Sequence, residues 1–342
     1  GVNVAKDAKA NITNLEVNGT GATAVRVMTG ANVTLVNGTI STTSYGIYMD
    51  GTGKASIADV NVTAAGDSKA AVWVANTAEL TVDKGNITAT GDNTFGIYMD
   101  GGSGTIKNAT IKADKESAIC ANTKETTNAN LTLNNVTIER TATNGKALVS
   151  VRNQATVTMQ GENSKIDGKM DAFTGRGVEV QGTFHLEGGT IANHKADVAT
   201  ALVTANVTDG SGVYVVNGGT FRMSGGYMGG NDTANAGSAV SVNGTDATFI
   251  LNGGEIRNNK ATYGAVMVRN GVFEMEGGKI TENKASGFGG GIIVSKGTFE
   301  MKGGTISNNS APSGGGVAMN STGNISLVDG ANNSTGTISD NT

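Results

Sequence analysis

Residues Thr298–Met319 read TFEMKGGTISNNSAPSGGGVAM. Three short apolar runs lie in this stretch, Phe299/Met301, Ile306 and Val317/Met319, separated by paired glycines and an Asn-Asn step. Alternation of period two marks half-buried strands, and Gly or Asn at the breaks supplies the positive φ of a sharp corner. The unit recurs one step earlier as VFEMEGGKITENKASGFGGGIIV (Val272–Val294), and before that as TFILNGGEIRNNKATYGAVMV (Thr248–Val268). The spacing predicts one coil of a solenoid, written many times.

Working outward, an apolar marker from the "GGTI" strand steps along the whole chain. It falls at Ile12, Ile40, Val62, Ile87, Ile111, Ile138, Ile166, Ile191, Met228, Ile256, Ile280, Ile306 and Ile338. Most gaps are roughly 22–28 residues, the size of a three-strand coil. A second series runs through Ile47/Met49, Val72/Val74 and Ile97/Met99, and a third through Phe184, Phe221, Phe249, Phe273 and Phe299. All three keep one phase. β-Branched residues and glycine dominate and no 3.6-residue period survives, which excludes helix. The expectation is an all-β parallel solenoid, one continuous rod over residues 1–342 with about 12–13 coils of three short strands, on the order of 60 Å long at about 4.8 Å per coil. Coils before about residue 170 are rich in Ala, Thr and Val, and Phe-x-Met-x-Gly-Gly becomes regular after it. Asn193, Asn258–Asn259, Asn283, Asn308–Asn309 and Asn341 are expected to form an internal amide ladder. Excursions from the rod are expected at 122–130, 167–176 and 192–211, and loops on rigid scaffolds commonly bind.

Composition narrows the function classes. The chain has 342 residues with 52 Gly and 1 Pro, as a stack of turns with an unbroken ladder requires. A net charge of −4 gives no reason to expect nucleic acid. No apolar run approaches the ~20 residues that span a bilayer, and no signal peptide is present, so the sequence reads as an excised mature segment. The single cysteine, Cys120, excludes an internal disulfide framework and a cysteine-based zinc site.

Candidate binding residues follow from the phase. With Ile47/Met49, Val72/Val74 and Ile97/Met99 inward, Tyr48, Trp73 and Tyr98 point outward on three successive coils. They are expected to stack as an exposed aromatic ladder suited to a sugar face or a protein hot spot; cross-strand stacking that only stabilises the sheet is the structural alternative. Cys120 takes the next outward position. His194, Lys195 and Asp197, in the loop at 192–211, join the ladder as candidate partner contacts. Asp50 and Asp100 close two copies of GIYMDG, with Asn76 between them; two coils apart they cannot share one calcium ion, so turn chemistry explains them better. Catalysis finds little support. His185 points outward, no Ser/His/Asp spacing occurs, and Glu274 and Glu300 share one outer column with Glu276 above Lys302, a regular solvated face. No metal or other cofactor is expected, and the protein is not expected to be an enzyme.

GGTISNNSAPSGGGVAM and GGKITENKASGFGGGIIV resemble the right-handed parallel β-helix repeats of secreted bacterial surface proteins, above all the passenger domains of type V autotransporters. The mix of GIYMDG-type and TFEMKGG-type coils is most similar to Bartonella autotransporter passengers, a group that includes an agonist of an endothelial growth-factor receptor. The resemblance implies an extracellular domain, held at the bacterial outer membrane through a translocator barrel missing here, or released. It implies a virulence factor that binds a host cell-surface protein receptor or glycan without catalysis, in its most specific form a promoter of endothelial proliferation. A polysaccharide-cleaving β-helix enzyme and a self-associating structural module are the alternatives.

Overall fold

The computed structural model describes residues 1–124, 127–140, 146–169, 175–196, 212–233, 237–320, 322–327 and 336–342. Among them there is no helix. The strands make about 12 turns in all. The backbone groups into two compact units, Gly1–Ile166 and Asp167–Thr342. Of the expected excursions, 125–126, 170–174 and 197–211 lie outside the described residues.

In the first unit every strand pairs in parallel with its equivalent one coil away, so that like residues fall into columns. One inward column is Val25–Ile47–Val72–Ile97–Ile119–Val149. A second is Leu35–Ile57–Val82–Ile106–Leu133–Met159, and a third Ile40–Val62–Ile87–Ile111–Ile138. All of these side chains are buried. Each contributes roughly 1.5–3 kcal/mol by leaving water. The first coils differ from expectation in one respect. Lys9–Gly19, Asn32–Thr42 and Lys54–Ala64 each run as a single strand of 11 residues through a corner. The bend is taken by Asn14, Asn37 and Asp59 at φ 54°, 51° and 57°, short polar side chains that tolerate left-handed backbone. Ile12 therefore lies opposite Leu35, and it is Val17 that lies opposite Ile40; the marker series starts one strand too early.

The second unit repeats the scheme with aromatic filling. Phe184, Phe221, Phe249, Phe273 and Phe299 form one buried column with ring centroids 5.8, 4.9, 4.6 and 5.0 Å apart. Beside it runs Ile191–Met228–Ile256–Ile280–Ile306–Ile338. The second glycine of each Gly-Gly step holds the corner between them; Gly304 has φ +85°, and a Cβ there would sit 2.5 Å from the Met275 side chain. This unit also has a fourth sheet that the sequence pattern did not announce: Lys195–Ala196, Asp232–Thr233, Lys260–Tyr263 and Lys284–Phe288, paired in parallel.

The amide ladder stands at the corner leading into that fourth sheet. Asn231 Nδ2 donates to Asn259 Oδ1 at 2.9 Å, Asn259 to Asn283 at 2.9 Å, Asn283 to Asn309 at 2.9 Å and Asn309 to Asn341 at 3.0 Å. Each Oδ1 also accepts the backbone N–H of the preceding rung, and Asn283 Nδ2 reaches the carbonyls of Ile256 and Thr281. Asn231 belongs to the column and was not anticipated. Asn193 does not belong to it: this residue takes the corner at φ 60°, and His194 occupies the rung.

One interior residue breaks the columnar rule. The inward column Thr42–Ala64–Ala89–Ala113 ends in Arg140, which is buried. Its guanidinium donates to the carbonyls of Asp114 at 2.8 Å, Glu116 at 3.2 Å and Lys146. Burial lowers its pKa to about 10.

Removing one rung should orphan several buried groups at once. Asn283→Ala is expected to lower unfolding stability by about 3 kcal/mol, read as a reduced urea midpoint. Asn61→Ala, on the exposed face, should stay within about 0.5 kcal/mol.

Candidate functional site

The most distinctive surface of the first unit arises on the strands Ile47–Met49, Ala70–Asp83 and Phe95–Lys107. The strand Ile47–Met49 buries its outer two residues and leaves Tyr48 outward, and Val72–Val74 and Ile97–Met99 do the same for Trp73 and Tyr98. In-register pairing puts Tyr48 opposite Trp73 and Trp73 opposite Tyr98. The rings stack as expected, with centroids 6.3 Å apart at 18° and 4.3 Å apart at 25°. They are half-buried, however, and not fully exposed.

The cover comes from two rings that the sequence reading did not single out. Tyr45 meets Tyr48 and Trp73 edge-on at 5.5 and 5.6 Å, and Phe95 tilts against Tyr98 at 4.8 Å. Both stand three residues before a ladder residue, in the repeated phrases YGIYMDG and FGIYMDG. That repetition was the available signal. The intervening coil has Ala70 at this offset, a small residue beside the space in which Tyr45 reaches Trp73. The ladder's ends are occupied as well: the Arg26 guanidinium lies 5.6 Å from the Tyr48 ring centroid, and Cys120 stands opposite Tyr98. Lys69 caps Tyr45 at 5.2 Å. Burial raises the hydroxyl pKa of Tyr48, with Asp50 adding to it, and burial likewise raises that of Tyr98, with Cys120 and Asp100 adding. Both phenols are neutral donors across the physiological range. The patch is thus five packed rings presenting edges and hydroxyls, bordered by two cations.

A polar corner adjoins it. Asp50 accepts the Gly51 N–H at 2.7 Å and Asn76 Nδ2 at 2.5 Å, which is the turn chemistry expected of an Asp-Gly step. Asp100 stands opposite Ala75 on the preceding coil and Asn122 on the next, while Asn76 reaches Asp50 through its side chain. Asn122 donates to Asp100 at 3.2 Å, and Lys124 approaches it at 3.8 Å. Among the described residues no cluster of His, Cys, Asp and Glu could hold a metal ion.

The other candidates separate in space and environment. His194 is fully buried, its backbone N–H donating to Asn231 Oδ1 at 3.1 Å; it belongs to the interior and cannot be a surface contact. Lys195 starts the fourth sheet opposite Asp232. Asp197 lies outside the described residues. Glu274 and Glu300 do share a column, which reads His185–Arg222–Ile250–Glu274–Glu300. Lys302 Nζ sits 3.0 Å from Glu274 and 3.6 Å from Glu300, and Glu276 accepts from Asn252.

Residues 1–161 match a family model described as "Right handed beta helix region". The fold is a right-handed parallel β-helix. No curated protein and no solved structure gives a significant match. The β-helix columns account for Cys120: it is enclosed between Tyr98 and Ser150, and burial pushes its thiol up to about 12.

A thiol so raised is protonated and unreactive in the folded state. Ellman's reagent at pH 8 should leave Cys120 unmodified until denaturant is added. Because the folded value lies above the ordinary 9.0, the thiol's contribution to stability is complete below pH 9 and should be lost as pH rises from 9 toward 12, measurable by urea titration against Cys120→Ala.

Proposed function

We propose that this β-helix is a non-catalytic binding domain, displayed outside the cell in the manner of an autotransporter passenger, whose aromatic patch at Tyr45, Tyr48, Trp73, Phe95 and Tyr98 docks a protein partner. The observation that carries the reading is the stacking itself. A sugar ring binds an aromatic side chain through the ring's face. Here the inward faces of the ladder cover one another, and its ends meet Arg26 and Cys120. What remains is a surface of ring edges, three phenol hydroxyls and a cationic border. Rigid aromatic groups with little entropy left to lose are the usual anchors of protein interfaces. The partner class is therefore a protein surface ahead of a glycan. A host cell-surface receptor is the proposed partner, and the ectodomain of a vascular growth-factor receptor its most specific form. The lysine-bridged pair Glu274/Glu300 supports binding over polysaccharide cleavage.

The test is binding of the purified chain to an array of endothelial receptor ectodomains, with Tyr48→Ala/Tyr98→Ala beside the parent. The double variant should bind the captured ectodomain at least about 30-fold more weakly with an unchanged circular dichroism spectrum. Equal affinity would remove the patch from the function.

A further inference from the structure

We propose that the fourth sheet of the second unit carries a separate site for an acidic saccharide, built on Phe288 and the lysines Lys260 and Lys284. This site does not depend on the aromatic patch of the first unit.

Phe288 is 50% exposed, an unusual state for so large an apolar ring, and the other exposed large apolar residues among those described belong to the last strands. Local backbone explains its position. Tyr263 pairs with Phe288, yet one residue lies between Ala261 and Tyr263 whereas two lie between Ala285 and Phe288, and the register shifts there. One extra residue makes a bulge, a common way of re-aiming a side chain at a sheet surface. The Phe288 ring lies parallel to Tyr263 at 6.4 Å and 3°, and Tyr263 packs on the buried pair Met267 and Ile293. The platform is thus anchored underneath. On its other side the next coil pairs Ser313 with Phe288, a side chain too small to cover a phenyl face. Gly287, Gly289 and Gly290 flank the ring in sequence and add no side chain beside it.

Lys260 and Lys284 are opposite one another on adjacent coils, both exposed, and neither forms an ion pair among the described residues. The nearest acids in the pattern are Glu282, two residues before Lys284, and Asp232, opposite Lys260. Lys284 and Phe288 are the two exposed ends of one strand, so an aromatic ring and two neighbouring ammonium groups lie along the same sheet, an arrangement that fits a chain of rings with apolar faces and negative substituents, which is the chemistry of a uronic or sulfated oligosaccharide. An acidic peptide fits less well. A peptide anchor needs a pocket, and a peptide strand needs an unpaired edge. The backbone here is already engaged, with Lys284 N–H donating to the Asn259 carbonyl at 3.0 Å and Gly289 N–H to that of Ser313 at 3.0 Å.

Binding of fluorescent heparin oligosaccharides, neutral dextran oligosaccharides and polyglutamate to the whole chain tests the site. Heparin oligosaccharides should bind, with dextran and polyglutamate at least about tenfold weaker. Phe288→Ala and Lys260→Ala/Lys284→Ala, both at exposed positions, should each weaken heparin binding about tenfold, while Tyr48→Ala/Tyr98→Ala leaves it unchanged. Polyglutamate binding as tight as heparin, loss in the lysine variant without loss in Phe288→Ala, or no heparin binding by the parent would each overturn the proposal.

Discussion

Everything in this molecule depends on in-register parallel pairing between successive coils. A parallel ladder has one hydrogen-bond slot per backbone group, and each coil fills the slots of its neighbours. Once two coils are in register, inward and outward positions are fixed for every later one, because a slip by a single residue would invert all of them. Columns of like residues are the outcome: valine and isoleucine in the first unit, phenylalanine in the second. An interior packed in columns gains both burial and ring stacking, and it tolerates exceptions only where the exception brings its own partners. Arg140 does so by collecting three carbonyl acceptors.

The same constraint produces the candidate surface. No pocket was needed to bring Tyr48, Trp73 and Tyr98 together; the repeat placed one ring per coil, and the coil spacing set their separation. Stacking then determines what the surface can recognise, since rings that cover one another offer edges and not faces. In the second unit the bulge at Phe288 has the reverse effect, lifting one ring out of the regular pattern and leaving a face uncovered. Two aromatic features of similar composition therefore differ in chemistry through a single inserted residue.

Most of the fold was legible in the sequence wherever a corner carries Gly-Gly or Asn-Asn, because those residues mark a left-handed backbone position directly. It was misread where the corner lacks them. Ile12 was assigned to the wrong strand because the chain runs through Asn14 without a glycine, and Asn231 was overlooked although it stands three residues after Met228, as Asn283 does after Ile280 and Asn341 after Ile338. The fourth sheet escaped notice because its strands hold one small inward residue each, Ala261 or Ala285, too little to make an alternation. His194 was taken for a loop residue since histidine does not look like an amide rung, although its position after Asn193 copies that of Asn259 after Asn258. For the site, the ladder followed from phase alone, whereas Tyr45 and Phe95 lie off the strand pattern and only contact in three dimensions reveals them.

The amide ladder has a direction. Every described rung from Asn231 to Asn309 passes its Nδ2 proton toward the later coil and accepts on Oδ1 from the earlier one, so each side chain must be donor and acceptor simultaneously. Aspartate can only accept when ionised. Spontaneous loss of ammonia from a single interior asparagine would set a carboxylate against the Oδ1 of the following rung, with no proton between them. The column that makes the stack so regular thus exposes it to chemical ageing, and shielding these amides from water is as much a requirement for the molecule's lifetime as packing its rings.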